Sequence, residues 1–421
     1  MMASHVPPPE HRPRVVIRGV GLITPLGHSA WATFSALLAG RHLADRASAL
    51  PEGVEPVSLV RALGAVSVAQ HAPQDPTVEL IDRAGREAAC MAQVDLAGLP
   101  AWIGTSKGAI TADGPAVLGP GGMHPPRQRA RSGPAHGDQP LSPGHPLWPI
   151  DPAAVALGPH GYLTYHIRQR LGLGLTKHVV AACASSLVAL HQARLHLLHQ
   201  PDSPAHAAVL TAEASLLPWF IHSYRRLGVL PPLRPDAYRA LPLDEGRQGF
   251  MLAEAGAAVV LTRLPPGREP EPGQIELIDT AIAAEGYDLI RPAPGMSALR
   301  QVAHQLLAGR TVDLIHPHAP GTPEHDAAEL AAYSPHLSAK GGCDYYACKG
   351  ALGHGLGAAG LTALVVACLC LQTGRRPPMP WLTRPLPGVK GPAQPCRRNG
   401  TQAVFAAGFG GHVAGAVIRR W

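Results

Sequence analysis

No uninterrupted apolar run in this chain is long enough to cross a bilayer. The longest, Leu361–Leu371, reads as a buried helix instead. Met1–Arg14 carries Pro and His but lacks an apolar leader core, so no signal peptide is expected. The cysteines, Cys90, Cys183, Cys343, Cys348, Cys368, Cys370 and Cys396, are odd in number and lack disulfide spacing. A reducing cytoplasm is the expected compartment. Zinc-finger spacing is absent, as is a basic helix with interleaved aromatics, so nucleic-acid binding is not expected. The formal net charge is +7, in small groups such as Arg127-Arg129-Arg131, Arg225-Arg226 and Arg397-Arg398. Such groups suit an acidic partner such as a carrier protein, and they also suit an ordinary solvated surface.

A chain of 421 residues implies two or more domain-sized units sharing a core. Residues before Arg14 read as a disordered tail. Val15–Ile17 reads as a strand, Gly19 and Gly21 as a turn, and Ser29–Leu38 as a helix. Ala101–Gly104 is a second strand. Thr111–Pro149 lacks periodicity and reads as a long surface excursion. Tyr162–Leu171 is expected to be helical, and Ala207–Leu210 and Gly256–Leu261 to be strands. The Pro-rich segment 265–274 is the clearest linker, dividing a first half (14–264) from a second (275–421). Beyond it the pattern begins again. Strands are expected at Ile275–Ile278, Val312–Ile315, Val404–Ala407 and Ala414–Ile418, and helices at Ser297–Leu307, Thr322–Ala332 and from His354 to Leu371. This alternation argues for α/β layers and for a weak internal duplication.

Cys183 lies where a short apolar run, His178–Ala182, meets a helical pattern. Leu187, Leu190, Ala193 and Leu197 recur at spacings of three and four. A thiol at such an elbow lies near a helix N-terminus, whose unpaired N–H groups favour the thiolate. A buried structural cysteine fits the same segment, and the segment does not separate the two.

Two further constellations stand out. One is His316-Pro317-His318-Ala319-Pro320-Gly321-Thr322-Pro323, after a strand. His316 and His318, with His325 and Asp326, have chelating spacing, which arises easily in a chain with 23 histidines. The other is Lys349-Gly350-Ala351-Leu352-Gly353-His354 followed by Gly355-Leu356-Gly357-Ala358-Ala359-Gly360. That glycine run has the letters of a dinucleotide-binding loop. It lacks the preceding strand, and its glycines sit at a helix start where they permit close packing.

Together these segments resemble the β-ketoacyl-[acyl carrier protein] synthases of the thiolase-like condensing enzymes, of the synthase II type. The resemblance runs from about Arg14 to Arg419. Val15–Gly27 is similar to that family's opening, and Ala181–Ser186 to its nucleophile elbow. Asp244, Arg247, Gly249 and Phe250, with Ala253–Gly256, resemble its mid-chain block. His318 with Thr322-Pro323, Asp326 and Glu329 is similar to its first histidine motif. Lys349 and His354 resemble its second, and Gly408-Phe409-Gly410-Gly411 its C-terminal glycine loop.

The resemblance implies a thiolase fold, two α/β halves in five alternating αβαβα layers with both central helices buried. It implies decarboxylating Claisen condensation on a malonyl-carrier-protein thioester in fatty-acid or polyketide-type synthesis. Cys183 would hold the acyl group. Neutral His318 and His354 would donate hydrogen bonds to the enolate oxygen. The backbone N–H groups of Cys183 and Phe409 would form the oxyanion hole, with Phe409 as gate. Lys349 would support the site and pair with Glu329, which holds the His318 loop. Thr322 and Gly410 complete the set. No metal or nucleotide cofactor is implied; acyl groups arrive on phosphopantetheine of an acyl carrier protein. A homodimer, or a heterodimer with a paralogous ketosynthase, is implied, without membrane insertion.

Three departures bear on substrate. His318-Ala319-Pro320 stands where the family has His-Gly-Thr, so Pro320 replaces a hydroxyl expected to contact the pantetheine arm. Thr322 keeps the second. Ala407 replaces a Phe, and His412-Val413 replace Thr-Asn. Two alternatives follow. One is a non-catalytic or chain-length-setting partner subunit, against which the retained Cys183, His318 and His354 argue. The other is a cysteine acyltransferase on the same scaffold.

Overall fold

The computed structural model describes residues 13–51, 53–68, 75–110, 152–337, 343–391, 397 and 400–421. The expected tail and the 111–149 excursion lie outside the described residues.

Gly19 and Gly21 do not turn the chain. They lie inside strand β1 (Arg14–Ile23), beneath helix α3 (Pro76–Ala92). A Cβ at Gly19 would come 2.1 Å from the Ala88 carbonyl oxygen, and one at Gly21 2.0 Å from that of Ala84. These glycines let a helix press onto a strand. Other helices ahead of β2 (Ala101–Gly104) are α1 (Ala30–Leu38), which the Ser29 side chain caps, and α2 (Pro56–Gly64).

The remaining first-half elements are α4 (Pro152–Leu171), β3 (Thr176–Val179), α5 (Ser185–His199), β4 (His206–Glu213), α6 (Pro218–Arg226) and β5 (Ala255–Leu264). Helix α4 contains the expected Tyr162–Leu171 helix beyond a break at Gly158, φ 63°. The second half holds β6 (Ile275–Ala284), α7 (Ser297–Leu307), β7 (Leu314–His316), α8 (His325–Tyr333), β8 (Asp344–Tyr345), α9 (Lys349–Leu352), α10 (Ala359–Thr373), β9 (Thr401–Gly408) and β10 (His412–Arg420). Helix α8 starts three residues later than expected. His354 does not open a helix, because Gly353 ends α9 with φ 71° and α10 starts only at Ala359.

The strands form one sheet in the order β3-β2-β4-β5-β1-β6-β10-β9-β7-β8. Counted within each half, this is third-second-fourth-fifth-first, then the same order reversed. The duplication suspected from sequence is therefore a topological palindrome. Its centre is narrow: β1 meets β6 only through Val16–Glu276 and Ile17–Ile275.

Helix α3 covers β1, β4 and β5, while α7 covers β6 and β10. Between the half-sheets lie α5 and α10, which touch each other and strands of both halves. All four apolar positions expected along α5 are fully buried. Every residue of α10 from Ala359 to Leu371 is buried. Taken from Leu356 to Thr373, this stretch is long and apolar enough to match a membrane span, but 89% of it is inside the fold. Gly360 brings α10 against α5: a Cβ there would lie 2.7 Å from Leu187 Cγ.

Each central helix is preceded by a 3-10 turn, Ala182–Ala184 before α5 and Leu356–Ala358 before α10. Each turn opens with a non-glycine residue of positive φ, Ala182 at 47° and Leu356 at 42°. The end of the fourth strand of the opposite half packs on each turn. Gly408 of β9 lies against Cys183, and Glu213 of β4 lies against Gly357. Cys183 and Gly357 thus occupy equivalent places.

Candidate active site

The elbow at Cys183 is tied by short-range bonds. The Ala181 N–H donates to Ser185 Oγ at 2.8 Å, and the Ser185 hydroxyl donates to the Ala182 carbonyl at 2.7 Å. A Cβ on Gly408 would come 2.8 Å from the Cys183 nitrogen, so only glycine allows this strand end so near the elbow. Cys183 itself belongs to the 3-10 turn, ahead of α5. Burial pushes its thiol up to about 12, against the opposing pull of Lys349 and Lys107. The thiolate expected from the helix N-terminus is therefore not the resting form, because desolvation outweighs the nearby positive charge.

His318 sits in the loop after β7. Glu329 of α8 accepts the backbone N–H groups of His318 and Ala319, both at 2.7 Å, and the Tyr333 hydroxyl. The Lys349 ammonium donates to the His318 carbonyl. No direct Glu329–Lys349 ion pair forms; the two meet through the His318 loop. Asp326 accepts Gly321 N–H at 3.0 Å and Leu243 N–H at 2.9 Å. Arg247 donates to the carbonyls of Thr322 at 3.1 Å and Pro323 at 2.6 Å. The mid-chain block thus braces this loop.

His354 follows Gly353. Its N–H donates to the Met251 carbonyl at 2.7 Å, and its carbonyl accepts from Ala253 N–H at 3.2 Å. Its ring stands edge-on to Phe250, centroids 4.9 Å apart, and 5.4 Å from the His318 ring. Burial, then the Lys349 charge, holds both imidazoles well below the usual histidine range. Both are neutral at physiological pH.

Cys183, His318, His354, Tyr224, Phe409 and Thr322 line one cavity of about 340 Å³. Phe409 stands on the Gly408–Gly411 loop between β9 and β10, its ring 6.4 Å from Tyr224. Gly410 and Gly411 have φ of 82° and 79°, and Gly410 N–H donates to the Leu289 carbonyl at 2.9 Å. Pro320, Ala407 and His325 also border the cavity. His316 is engaged elsewhere, with Nε2 2.9 Å from Gln402 Oε1. Gly357 is spent on packing: a Cβ would meet Ser106 N at 2.6 Å and Glu213 Oε1 at 2.7 Å.

Sequence reasoning missed Tyr224, since an aromatic on α6 carries no signal of its own. His325 was noticed only for its chelating spacing. Its place four residues before Glu329 on α8 was the better signal.

The arrangement sets a thiol and two neutral hydrogen-bonding imidazoles around one cavity. Residues 163–266 match the family model of the β-ketoacyl synthase N-terminal domain, and residues 275–382 that of the C-terminal domain. The chain belongs to the β-ketoacyl synthase family. These are acyltransferase-class condensing enzymes of fatty-acid and polyketide biosynthesis. The chain is 26% identical over 385 residues to 3-oxoacyl-[acyl-carrier-protein] synthase 2 of Coxiella burnetii, covering 87% of each. It is 29% identical over 281 residues to mellein synthase of Phaeosphaeria nodorum, 62% of this chain but only 15% of that protein. Its fold is that of the ketosynthases. A type II polyketide ketosynthase solved with its acyl-carrier protein superposes with TM-score 0.75 at 18% identity, covering 97% of this chain and 100% of the other. The ketosynthase from module 6 of the bacillaene synthase of Bacillus subtilis 168 superposes with TM-score 0.70 at 19% identity, covering 97% and 72%.

Proposed function

We propose that Cys183 carries the acyl group and that His318 and His354 drive decarboxylating condensation with a malonyl-carrier-protein donor. The observation that carries this reading is the meeting of one thiol and two neutral imidazoles in one cavity. In the first half-reaction the thiol exchanges with an acyl thioester. A new C–S bond forms at Cys183, and the carrier thiol leaves with the proton. In the second, the malonyl C–C bond to its carboxylate breaks and carbon dioxide departs. The electron pair moves onto the α-carbon, and negative charge builds on the thioester oxygen, where the two imidazole N–H groups stabilise it. The enolate attacks the acyl carbonyl, and Cys183 leaves and recovers a proton.

The N–H groups of Cys183 and Phe409 would hold the tetrahedral oxyanion, with Phe409 opening to admit substrate. Lys349 and Glu329 fix the His318 loop from its two sides, and Gly410 gives the gate loop its turn. The partner is an acyl carrier protein that presents substrates on phosphopantetheine, with Thr322 beside the arm. The assembly is a dimer, of identical chains or with a paralogue, in a reducing cytoplasm.

Incubation with acyl- and malonyl-carrier protein, followed by mass analysis, tests this reading. Acyl-Cys183 and a β-ketoacyl product are expected. Pro320 in place of a hydroxyl favours, as a second reading, a cysteine acyltransferase; acyl-Cys183 without carbon–carbon bond formation would support it.

A further inference from the structure

The cavity holds a third histidine that the reaction as described does not use. His325, the first residue of α8, stands edge-on to His318 with ring centroids 5.1 Å apart. Its Nε2 is 3.5 Å from Glu329 Oε2 and buried, and its side chain is only 13% exposed. Nε2 makes no hydrogen bond at that distance, whereas Nδ1 is not among the buried atoms left without a partner. His325 borders that cavity together with Pro320 and Thr322. Pro320 can neither donate nor accept through its side chain, so the polar side chains along this stretch of the wall are Thr322, Glu324 and His325. Glu329 cannot swing away to release His325, because two backbone N–H groups and the Tyr333 hydroxyl hold it.

We propose that His325 is a substrate-positioning residue that accepts the amide N–H nearest the thioester of the pantetheine arm, in place of the hydroxyl missing at Pro320. This rests on the condensing-enzyme reading. In the neutral tautomer with its proton on Nε2, toward the carboxylate, Nδ1 is an acceptor. The effect is on binding of the arm, common to acyl and malonyl carriers, and not on the thiol.

The test compares two acyl donors with the same acyl group, an acyl-carrier-protein thioester and an ethyl thioester that has no arm. Acylation of Cys183 is read by mass. His325→Ala is expected to raise KM about tenfold more for the carrier thioester than for the ethyl thioester, the scale of one lost hydrogen bond. His325→Gln, which keeps a polar acceptor, should recover most of the loss. So should Pro320→Ser in the His325→Ala background. An equal loss with both donors, or no change in KM for the carrier thioester, would overturn the assignment. If the unsubstituted protein is acylated by neither donor, the condensing-enzyme reading itself fails, which is a distinct result.

Discussion

Glu329 accepts the backbone N–H of His318 at 2.7 Å, while Lys349 donates to the carbonyl of the same residue. The His318 imidazole is therefore held by its own backbone, one charge on each side. Glu329→Gln keeps the shape but offers one acceptor oxygen to three donors. The unpaired buried groups should cost about 1–3 kcal/mol. Malonyl decarboxylation should fall at least about a hundredfold, the cost of displacing a catalytic group. Thermal denaturation with a decarboxylation assay checks both. A variant that loses stability but decarboxylates normally would show that the loop tolerates the change.

Burial sets the resting state of the Cys183 thiol. With the Cys183 thiol pushed up to about 12, its thiolate fraction climbs about tenfold per pH unit throughout the neutral range. Alkylation by iodoacetamide, followed at Cys183 by mass, should rise with that slope from pH 7 to 10. A plateau below pH 9 would mean that the lysines and the helix end win over desolvation.

Glu254 gives a stability signature of its own. It is buried and accepts Val66 N–H at 2.8 Å. Burial, with a smaller push from Asp75, raises its carboxyl to about 7. The fold therefore holds a proton that the unfolded chain gives up near 4.5. Stability is greatest below that value and declines as pH rises through 7, by on the order of 3 kcal/mol. Glu254→Gln, which keeps an acceptor, should flatten this decline when denaturant unfolding is compared at pH 5 and pH 8.

Gly357 leaves no room for a side chain. Alanine there would press on the Ser106 backbone nitrogen at 2.6 Å, and backbone yields less readily than a side-chain tip. Gly357→Ala should destabilise the fold by about 1–3 kcal/mol and loosen the seat of His354. Gly98→Ala is a control for bulk, since nothing lies within 4 Å, although its φ of 73° adds some strain of its own. A Gly357→Ala variant as stable as Gly98→Ala would contradict the packing argument.

Much of the fold was legible where one period dominates. Ser297–Leu307 and Ala101–Gly104 fall at the residues that their apolar spacing gives. Helix α3 was invisible because its buried face mixes Thr77, Glu79 and Asp82 with its apolar residues. Gly19 and Gly21 misled because a glycine required by a helix three layers of sequence away looks like a glycine required by a turn. Within the site, the elbow and both histidine motifs were readable as letters in order. The indirect link between Glu329 and Lys349 was not, since it passes through backbone atoms that carry no sequence. Nor was the protonation of Cys183, which depends on how closely the second half of the chain covers it.

The two equivalent 3-10 turns suggest what duplication made available. A single ancestral bend, copied, would have presented two candidate places for a reactive side chain, facing across the axis. One copy kept depth enough for a sulfur atom. The other surrendered that position to a carboxylate from across the axis and became an anchor for the imidazole three residues earlier. The Cys183–Gly357 equivalence sets a thiol at one turn and a packing glycine at the other.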